Sequence, residues 1–151
     1  MAAVKAKSSR RRARELALQA LYAWQLAGGA AAEMVEQMRA LEGHDKSDKL
    51  LAERLVRGVI DAAGELRPLI GDCIDRSFEG LSPVERAILY IGAFELARQP
   101  ETPFKVVLNE AIELGKSFGG TGGHKFVNGV LEKLALCLRP EEVASARRAT
   151  A

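Results

Sequence analysis

Residues 84–98 restrict the fold most, because the helix that they predict is apolar on nearly every side. This helix opens with a cap at Ser82, a first-turn proline at Pro83 and the acid of a capping box at Glu85. The apolar residues that follow spread around the whole helical wheel: Ala87, Ile88, Leu89, Ile91, Phe94 and Leu96. Since a helix without a polar face is normally enclosed by other elements, we expect a central helix within a helical domain.

The rest of the chain carries the same helical period and has no good strand candidate. Apolar residues from Ala13 to Trp24 recur at steps of three and four, and Gly28 follows as a stop. Further helices are predicted over about 30–41, from about 47 with a break or kink at Gly64 and Pro68, and in a continuation over 69–78. Two more flank the 119–123 glycine loop, and a short charged segment ends the chain. We therefore predict an all-α fold, with a disordered basic tail over 1–9 and one helical domain over 10–151.

The charges of the chain are divided unevenly along it. The first fourteen residues hold six bases and no acid, whereas the remainder holds 16 bases and 20 acids, so the net charge of +2 hides a basic arm. Clustered cations neutralise phosphates and release counterions, which favours a polyanion partner over simple solvated charge. The arm passes directly into the first helix, which carries Arg10, Arg11, Arg12 and Arg14.

The sequence offers no constellation for catalysis, a metal or a cofactor. The loop before Lys125 lacks the second glycine and the Ser/Thr of a phosphate-binding loop, and it follows a helix rather than a strand. His44 and His124 have no second ligand at helical spacing, and Glu95 is interpreted as a paired structural carboxylate. We therefore expect neither an enzyme nor a metal or cofactor site.

The termini and cysteines indicate a cytoplasmic protein. Apolar stretches fall short of a membrane span, and Glu15, Gln19 and Gln25 make the first helix unlike a signal peptide. Cys73 and Cys137 lack the spacing of a metal or redox motif, which is typical of buried thiols in a reducing compartment.

Two surfaces could recognise a partner, and each has a structural alternative. Leu18 and Tyr22 lie on the first helix opposite its main apolar stripe, so they form either a partner surface or the second face of a sandwiched helix. Lys125, Phe126 and Asn128 begin a later helix, where they could neutralise, stack on and hydrogen-bond a single-stranded base. Taken alone, a phenylalanine at this position is more often a core residue.

Four segments together resemble the NusB family of bacterial transcription antitermination factors. They are residues 10–22 (RRRARELALQALY), 84–89 (VERAIL), 109–118 (NEAIELGKSF) and 124–131 (HKFVNGVL). The resemblance implies an all-helical fold of two small lobes packed across each other, one over about 10–80 and the other over about 81–151. It also implies a non-catalytic protein that binds single-stranded boxA RNA with the ribosomal protein NusE. With other Nus factors, this pair helps RNA polymerase read through terminators in ribosomal RNA operons.

The resemblance also assigns residues to these roles. It implies RNA contacts by Arg10, Arg11, Arg12, Arg14, Lys125, Phe126 and Asn128, and a NusE-facing surface at or near Tyr22, Glu79 and Glu85. The chain departs from the family at its glycine loop, where relatives often carry a polar or acidic segment. Three alternatives compete with this interpretation: a NusB-like part of a ribosomal RNA methyltransferase, a homodimer that buries Leu18 and Tyr22, and a cationic membrane-binding helix. The missing glycine-rich βαβ segment and the core role of Trp24 argue against the first and third.

Overall fold

The structure is a computed structural model that describes residues 7–120 and 122–150. Within those residues it contains seven α-helices and no strand, which confirms the all-α prediction. The helices are α1 (Ser9–Ala27), α2 (Ala31–Arg39), α3 (Lys49–Gly71), α4 (Pro83–Arg98), α5 (Phe104–Phe118), α6 (Gly123–Leu138) and α7 (Pro140–Thr150). Short 3-10 helices cover His44–Lys46 and Phe78–Gly80.

Helix α4 is the centre of the molecule, as its apolar sequence predicts. Residues 87–96 are all buried, and α4 packs against α1, α3, α5 and α6. Its start is the predicted capping box: the Glu85 amide donates to Ser82 Oγ over 3.1 Å, and the Ser82 amide donates to Glu85 Oε1 over 3.2 Å. At Gly92, an added Cβ would lie 2.7 Å from Leu131 Cδ1, so the glycine allows α4 and α6 to approach closely.

One continuous apolar core joins the helices. Residues from all seven contribute to it, including Met34 and Met38 from α2 and Val143 from α7. The division into lobes near residues 80 and 81 stays a prediction, because the buried side chains form one cluster across that boundary.

Of the break or kink predicted in the third helix, the break is wrong, since α3 continues through Gly64 and Pro68 to Gly71, and the kink stays a prediction. Both residues lie on the exposed side of α3, where water can satisfy the carbonyl that loses its partner at proline. The predicted continuation over 69–78 is also wrong, because α3 ends at Gly71. Residues 72–77 connect α3 to the short 3-10 helix instead.

Within the described residues, helices extend further toward both termini than predicted. Ser8 caps α1 by accepting a hydrogen bond from the Arg11 amide over 3.1 Å, and Ser9 is the first helical residue, so the predicted tail extends too far. Residues 1–6 lie outside the described part of the chain. The charged C-terminal segment is a helix, α7, which Pro140 opens.

Buried Arg139 fastens the start of α7 to the end of α4. Its guanidinium donates hydrogen bonds to the backbone carbonyls of Glu95, Leu96, Gln99 and Thr102. It also donates to the Glu142 carboxylate over 3.0 Å. A cation at this end of α4 satisfies carbonyls that lack helical partners and complements the helix dipole.

Candidate nucleic-acid interface

Helical geometry separates the four arginines at the start of α1. Arg10 is exposed, Arg11 and Arg12 are partly exposed, and Arg14 is buried. The difference follows from their positions on the wheel, because Arg14 precedes Ala17, Leu18 and Leu21 on one buried helix face. The arm therefore offers at most three of its four helical arginines to a ligand.

Arg14 was predicted to contact RNA, and its environment contradicts that role. Its guanidinium donates two hydrogen bonds to the Glu95 carboxylate, over 3.0 Å from Nε and 2.8 Å from Nη2. Burial opposes the charge of Arg14, but the hydrogen bond and charge of Glu95 outweigh it and raise its pKa. The interpretation of Glu95 as a paired structural carboxylate is confirmed.

Arg11 and Lys7 are each paired with a largely buried acid. Arg11 donates to both carboxylate oxygens of Glu110 on α5, with Nε 3.0 Å from Oε2. That hydrogen bond is the main reason why the pKa of Arg11 is raised. Lys7 Nζ lies 2.9 Å from Glu15 Oε2. Because these pairs are partly solvated, a phosphate could compete for both cations.

A cavity of about 550 Å³ lies beside Arg12, between α1, the segment after α2 and Phe118. Its charged lining is balanced, because it consists of Lys7, Arg12, Lys46, Glu15, Glu42 and Asp45. A polyanion gains little from such a mixed wall, so this cavity does not add to the basic surface of the arm.

The second predicted RNA group lies at the start of α6. Gly122 caps this helix with a φ of 80°, a left-handed conformation that glycine adopts readily. Lys125 is exposed, and Phe126 is partly buried against the core. Asn128 Nδ2 donates to Glu132 Oε1 over 3.2 Å. The ring of Phe126 therefore packs on the core, as a core residue would, and still reaches the surface, as an RNA contact requires.

The residue that sequence reasoning missed at this position is Arg76. Its guanidinium carbon lies 4.6 Å from the centroid of the Phe126 ring, and its Nε donates to Asp75 Oδ1 over 3.1 Å. That hydrogen bond is the largest of the causes that lower the pKa of Asp75. Nothing in the sequence links the segment after α3 to the start of α6, so this contact had no local signal.

Helix α5 is the element to which both predicted RNA groups are attached. Arg11 binds Glu110 near the middle of α5, whereas the start of α6 packs against Gly115. A Cβ at Gly115 would lie 2.8 Å from the Cα of His124, so the glycine sets how closely α6 begins beside α5. The arm and the Phe126 region are thus both held on α5.

The residues expected to face NusE lie in the C-terminal part of α1, in the segment before α4 and in the first turn of α4. Tyr22 is 39% exposed, while Leu18 is buried, so only Tyr22 remains available at the surface. Tyr22 and Val84 line a shared apolar cavity of about 490 Å³. Glu79 is exposed and pairs with Arg67, and Glu85 is held in the capping box.

Neither a membrane span nor a metal cluster is found in the described part of the chain. No helix over residues 7–120 and 122–150 has the length and hydropathy needed to cross a bilayer. The same residues contain no group of three or more histidine, cysteine, aspartate or glutamate side chains arranged to hold a metal ion.

Related sequences give one consistent result. The NusB family model matches residues 11–136. The transcription antitermination protein NusB of Burkholderia mallei strain SAVP1 is 50% identical over 143 residues, which cover 95% of this chain and 99% of the relative. The NusB proteins of Burkholderia pseudomallei strain K96243 and Burkholderia thailandensis show the same identity and coverage.

Solved structures share the fold. NusB of T. maritima superposes with a TM-score of 0.79 at 28% identity, covering 93% of this chain and 99% of that one. A crystal structure of the antitermination factors NusB and NusE in complex with double-stranded RNA gives 0.73 at 27% identity, covering 83% and 95%. The family model, the related sequences and the solved structures all agree: the chain belongs to the NusB family of transcription antitermination proteins.

Proposed function

We propose that the protein binds single-stranded boxA RNA together with NusE, as a cytoplasmic adaptor rather than an enzyme. With other Nus factors, the complex would help RNA polymerase read through terminators in ribosomal RNA operons. Family membership supports antitermination, and the solved relative in complex with NusE and RNA supports the two classes of partner. In that relative the RNA is double-stranded, so single-stranded boxA is part of the proposal.

The surface at the start of α6 is the observation that carries the RNA-binding proposal. Phe126 reaches the surface beside exposed Lys125, and Asn128 lies one turn or less away. An aromatic ring, a cation and an amide supply stacking, charge neutralisation and hydrogen bonding to an unpaired base. Arg10, Arg11 and Arg12 would add phosphate contacts that do not depend on sequence.

Tyr22, Glu79 and Glu85 are proposed as the NusE side of the protein. The two acids suit a basic ribosomal protein, because complementary charge speeds association and disfavours wrong partners. Tyr22 would supply a partly exposed aromatic ring beside an apolar cavity, which is typical of residues that contribute strongly to protein interfaces.

Fluorescence anisotropy of labelled RNA tests this function directly. Wild-type protein is titrated into boxA-like and scrambled RNA of equal length, with and without purified NusE. We expect tighter and more selective binding to boxA when NusE is present. Equal weak binding to both RNAs, unchanged by NusE, would refute the adaptor role.

Two sets of variants separate charge from base recognition. Replacing both Arg11 and Arg12 with alanine should weaken binding to every RNA. It should also reduce the slope of log binding constant against log salt concentration by about one for each phosphate contact that is lost. Phe126→Ala should reduce discrimination between boxA and scrambled RNA, because stacking is lost. Phe126→Leu is the matched control, since it keeps apolar packing without an aromatic face.

A homodimer remains the alternative role for the exposed part of α1. Size-exclusion chromatography with light scattering, run with and without NusE, distinguishes it. A dimer that NusE does not dissociate, together with unchanged NusE binding by Tyr22→Ala, would assign Tyr22 to self-association.

A further inference from the structure

A small recess lies between residues 72–77 and the first turns of α6. Its volume is about 200 Å³, below the range of roughly 300–1,000 Å³ that is typical of small-molecule pockets. Its lining combines apolar side chains with the Phe126 ring, three cations (Arg76, Lys125 and Lys133) and one acid, Asp75. A recess of this size and charge fits one flat group that carries negative charge beside it.

The Phe126 ring is the stacking surface of this recess, and Arg76 covers it. Part of the ring packs against the core, while the Arg76 guanidinium lies 4.6 Å from the ring centroid. Guanidinium groups and nucleobases both stack on aromatic rings, so the two would compete for the same face. A base can reach Phe126 only after Arg76 leaves its present position.

Arg76 is placed so that this movement is easy. Its side chain is 54% exposed, and its hydrogen bond goes to the adjacent residue, Asp75, rather than to another helix. Residues 72–74 continue the backbone hydrogen bonding of α3, whereas the Arg76 amide donates no backbone hydrogen bond. Moving the guanidinium therefore disturbs little of the packed core.

We propose that this recess binds one unpaired nucleobase, with Phe126 on one face of the base and Arg76 on the other. The inference rests on the proposed function, because it assigns the pocket through which the protein would recognise a base. The guanidinium carbon, now 4.6 Å from the ring centroid, would then lie roughly 7 Å above the ring, because a base between them makes two stacking separations of about 3.5 Å each. Lys125 and Lys133 would then lie near the phosphates on either side of that base.

Arg76→Ala tests the pocket, and Arg57→Ala is its matched control. Arg57 is also a partly exposed arginine that pairs with an acid of its own segment, Glu53. Binding is measured by anisotropy with NusE present, using boxA-like RNA and a series of the same RNA in which one base at a time is replaced by an abasic ribose. We expect Arg76→Ala to weaken binding to intact RNA by about tenfold, as the loss of one stacked base would.

The abasic series distinguishes stacking from charge. At one position, removal of the base should weaken wild-type binding to a similar extent, and the Arg76→Ala protein should lose little more there. Arg76→Lys should recover only a small part of the loss, because lysine keeps the charge without the planar group. The pocket is refuted if Arg76→Ala binds like Arg57→Ala, or if its loss is equal at every abasic position.

Failure of the pocket is distinguishable from failure of the proposed function. If wild-type protein does not prefer boxA to scrambled RNA, the adaptor role fails, and the pocket is then judged on a uridine homopolymer against a fully abasic strand of the same length. The pocket predicts that Arg76→Ala weakens binding to the homopolymer alone. An equal loss on both strands would refute it and leave Arg76 as a phosphate contact.

Discussion

Arg14 and Glu95 form a bidentate ion pair inside the core, with Arg14 Nη2 2.8 Å from Glu95 Oε1. The two side chains are only 2% and 1% exposed, and they join α1 to the central helix α4. A buried charge that loses its partner keeps the cost of its own desolvation. The pair therefore holds α1, which carries the basic arm, against the core. We expect variants of this pair to show separate effects on folding stability and on RNA binding.

Arg14→Ala is expected to destabilise the protein by about 3–5 kcal/mol, because it leaves Glu95 buried and unpaired. The double variant Arg14→Met and Glu95→Leu should recover much of that loss, since no charge remains. Urea unfolding followed by circular dichroism measures both. Arg98→Ala is the control, as Arg98 forms an exposed pair with Glu65. A stable Arg14→Ala protein with weakened RNA binding would show that Arg14 reaches RNA.

Glu110→Gln should tighten RNA binding, because it releases Arg11 and removes an acid from the basic surface. We expect an increase of up to about fivefold at low salt, since a partly solvated ion pair is worth about 1 kcal/mol. The gain should shrink at high salt as the charges are screened. Anisotropy at two salt concentrations measures it, with Glu53→Gln on α3 as the control. If RNA binding weakens instead, Glu110 positions Arg11 for its phosphate.

Glu85 allows charge to be separated from helix capping. Glu85→Gln keeps a side-chain acceptor for the Ser82 amide and should leave the thermal midpoint nearly unchanged. It should nevertheless weaken NusE binding in a salt-dependent manner, because the carboxylate is lost. Glu85→Ala should lower both. Calorimetric titration with NusE and thermal unfolding check the pair of variants, and unchanged NusE binding by Glu85→Gln would remove Glu85 from that surface.

Gly115→Ala should impair base recognition, although the substituted side chain would not itself contact RNA. The added methyl would lie 2.8 Å from His124 Cα and 2.9 Å from its Cβ, so the first turn of α6 must shift. We expect a loss of about 1–3 kcal/mol in stability from this overpacking. Discrimination between boxA and scrambled RNA should fall as well. In contrast, Gly64→Ala on the exposed side of α3 meets no atom within 4 Å and should stabilise the helix. Normal discrimination by folded Gly115→Ala would show that α6 adapts.

The two cysteines should differ in their reactivity. Burial is the main cause that raises the pKa of Cys73, and nearby Cys137 also raises it, so less Cys73 thiolate exists at neutral pH. Iodoacetamide should therefore modify exposed Cys137 first, as peptide mass spectrometry would show. Because the pKa of Cys73 is higher in the folded state than in the unfolded state, its contribution to stability is complete at neutral pH. That contribution is lost as the pH rises through the raised pKa. Equal modification of both thiols at neutral pH would contradict the predicted difference in reactivity.

The sequence predicted the elements whose signal is local. The capping box at Ser82 and Glu85 and the wholly apolar face of α4 each follow from neighbouring residues, and the structure confirms them. The burial of Arg14 was also readable, since Ala17, Leu18 and Leu21 follow it at helical spacing. The charge pattern of the arm concealed that signal.

Contacts between distant segments could not be predicted in the same way. The stacking of Arg76 on Phe126 depends on how the segment after α3 meets α6, and neither segment encodes the other's position. The helical path of α3 through Pro68 depends on solvent exposure, which a single sequence does not supply. The sequence did not predict helix α7, because its apolar pattern is weak. The hydrogen bonds that Arg139 makes with α4 fasten this helix instead.

Helix α4 has a further consequence for how two ligands would influence each other. It is enclosed by α1, α3, α5 and α6, so the proposed RNA and NusE surfaces are attached to one stiff body. Close-packed interiors have low compressibility, so neither bound molecule would reshape the surface that holds the other. Cooperativity between RNA and NusE would then arise where the two bound molecules touch, and the protein would serve as a template of fixed geometry for that encounter.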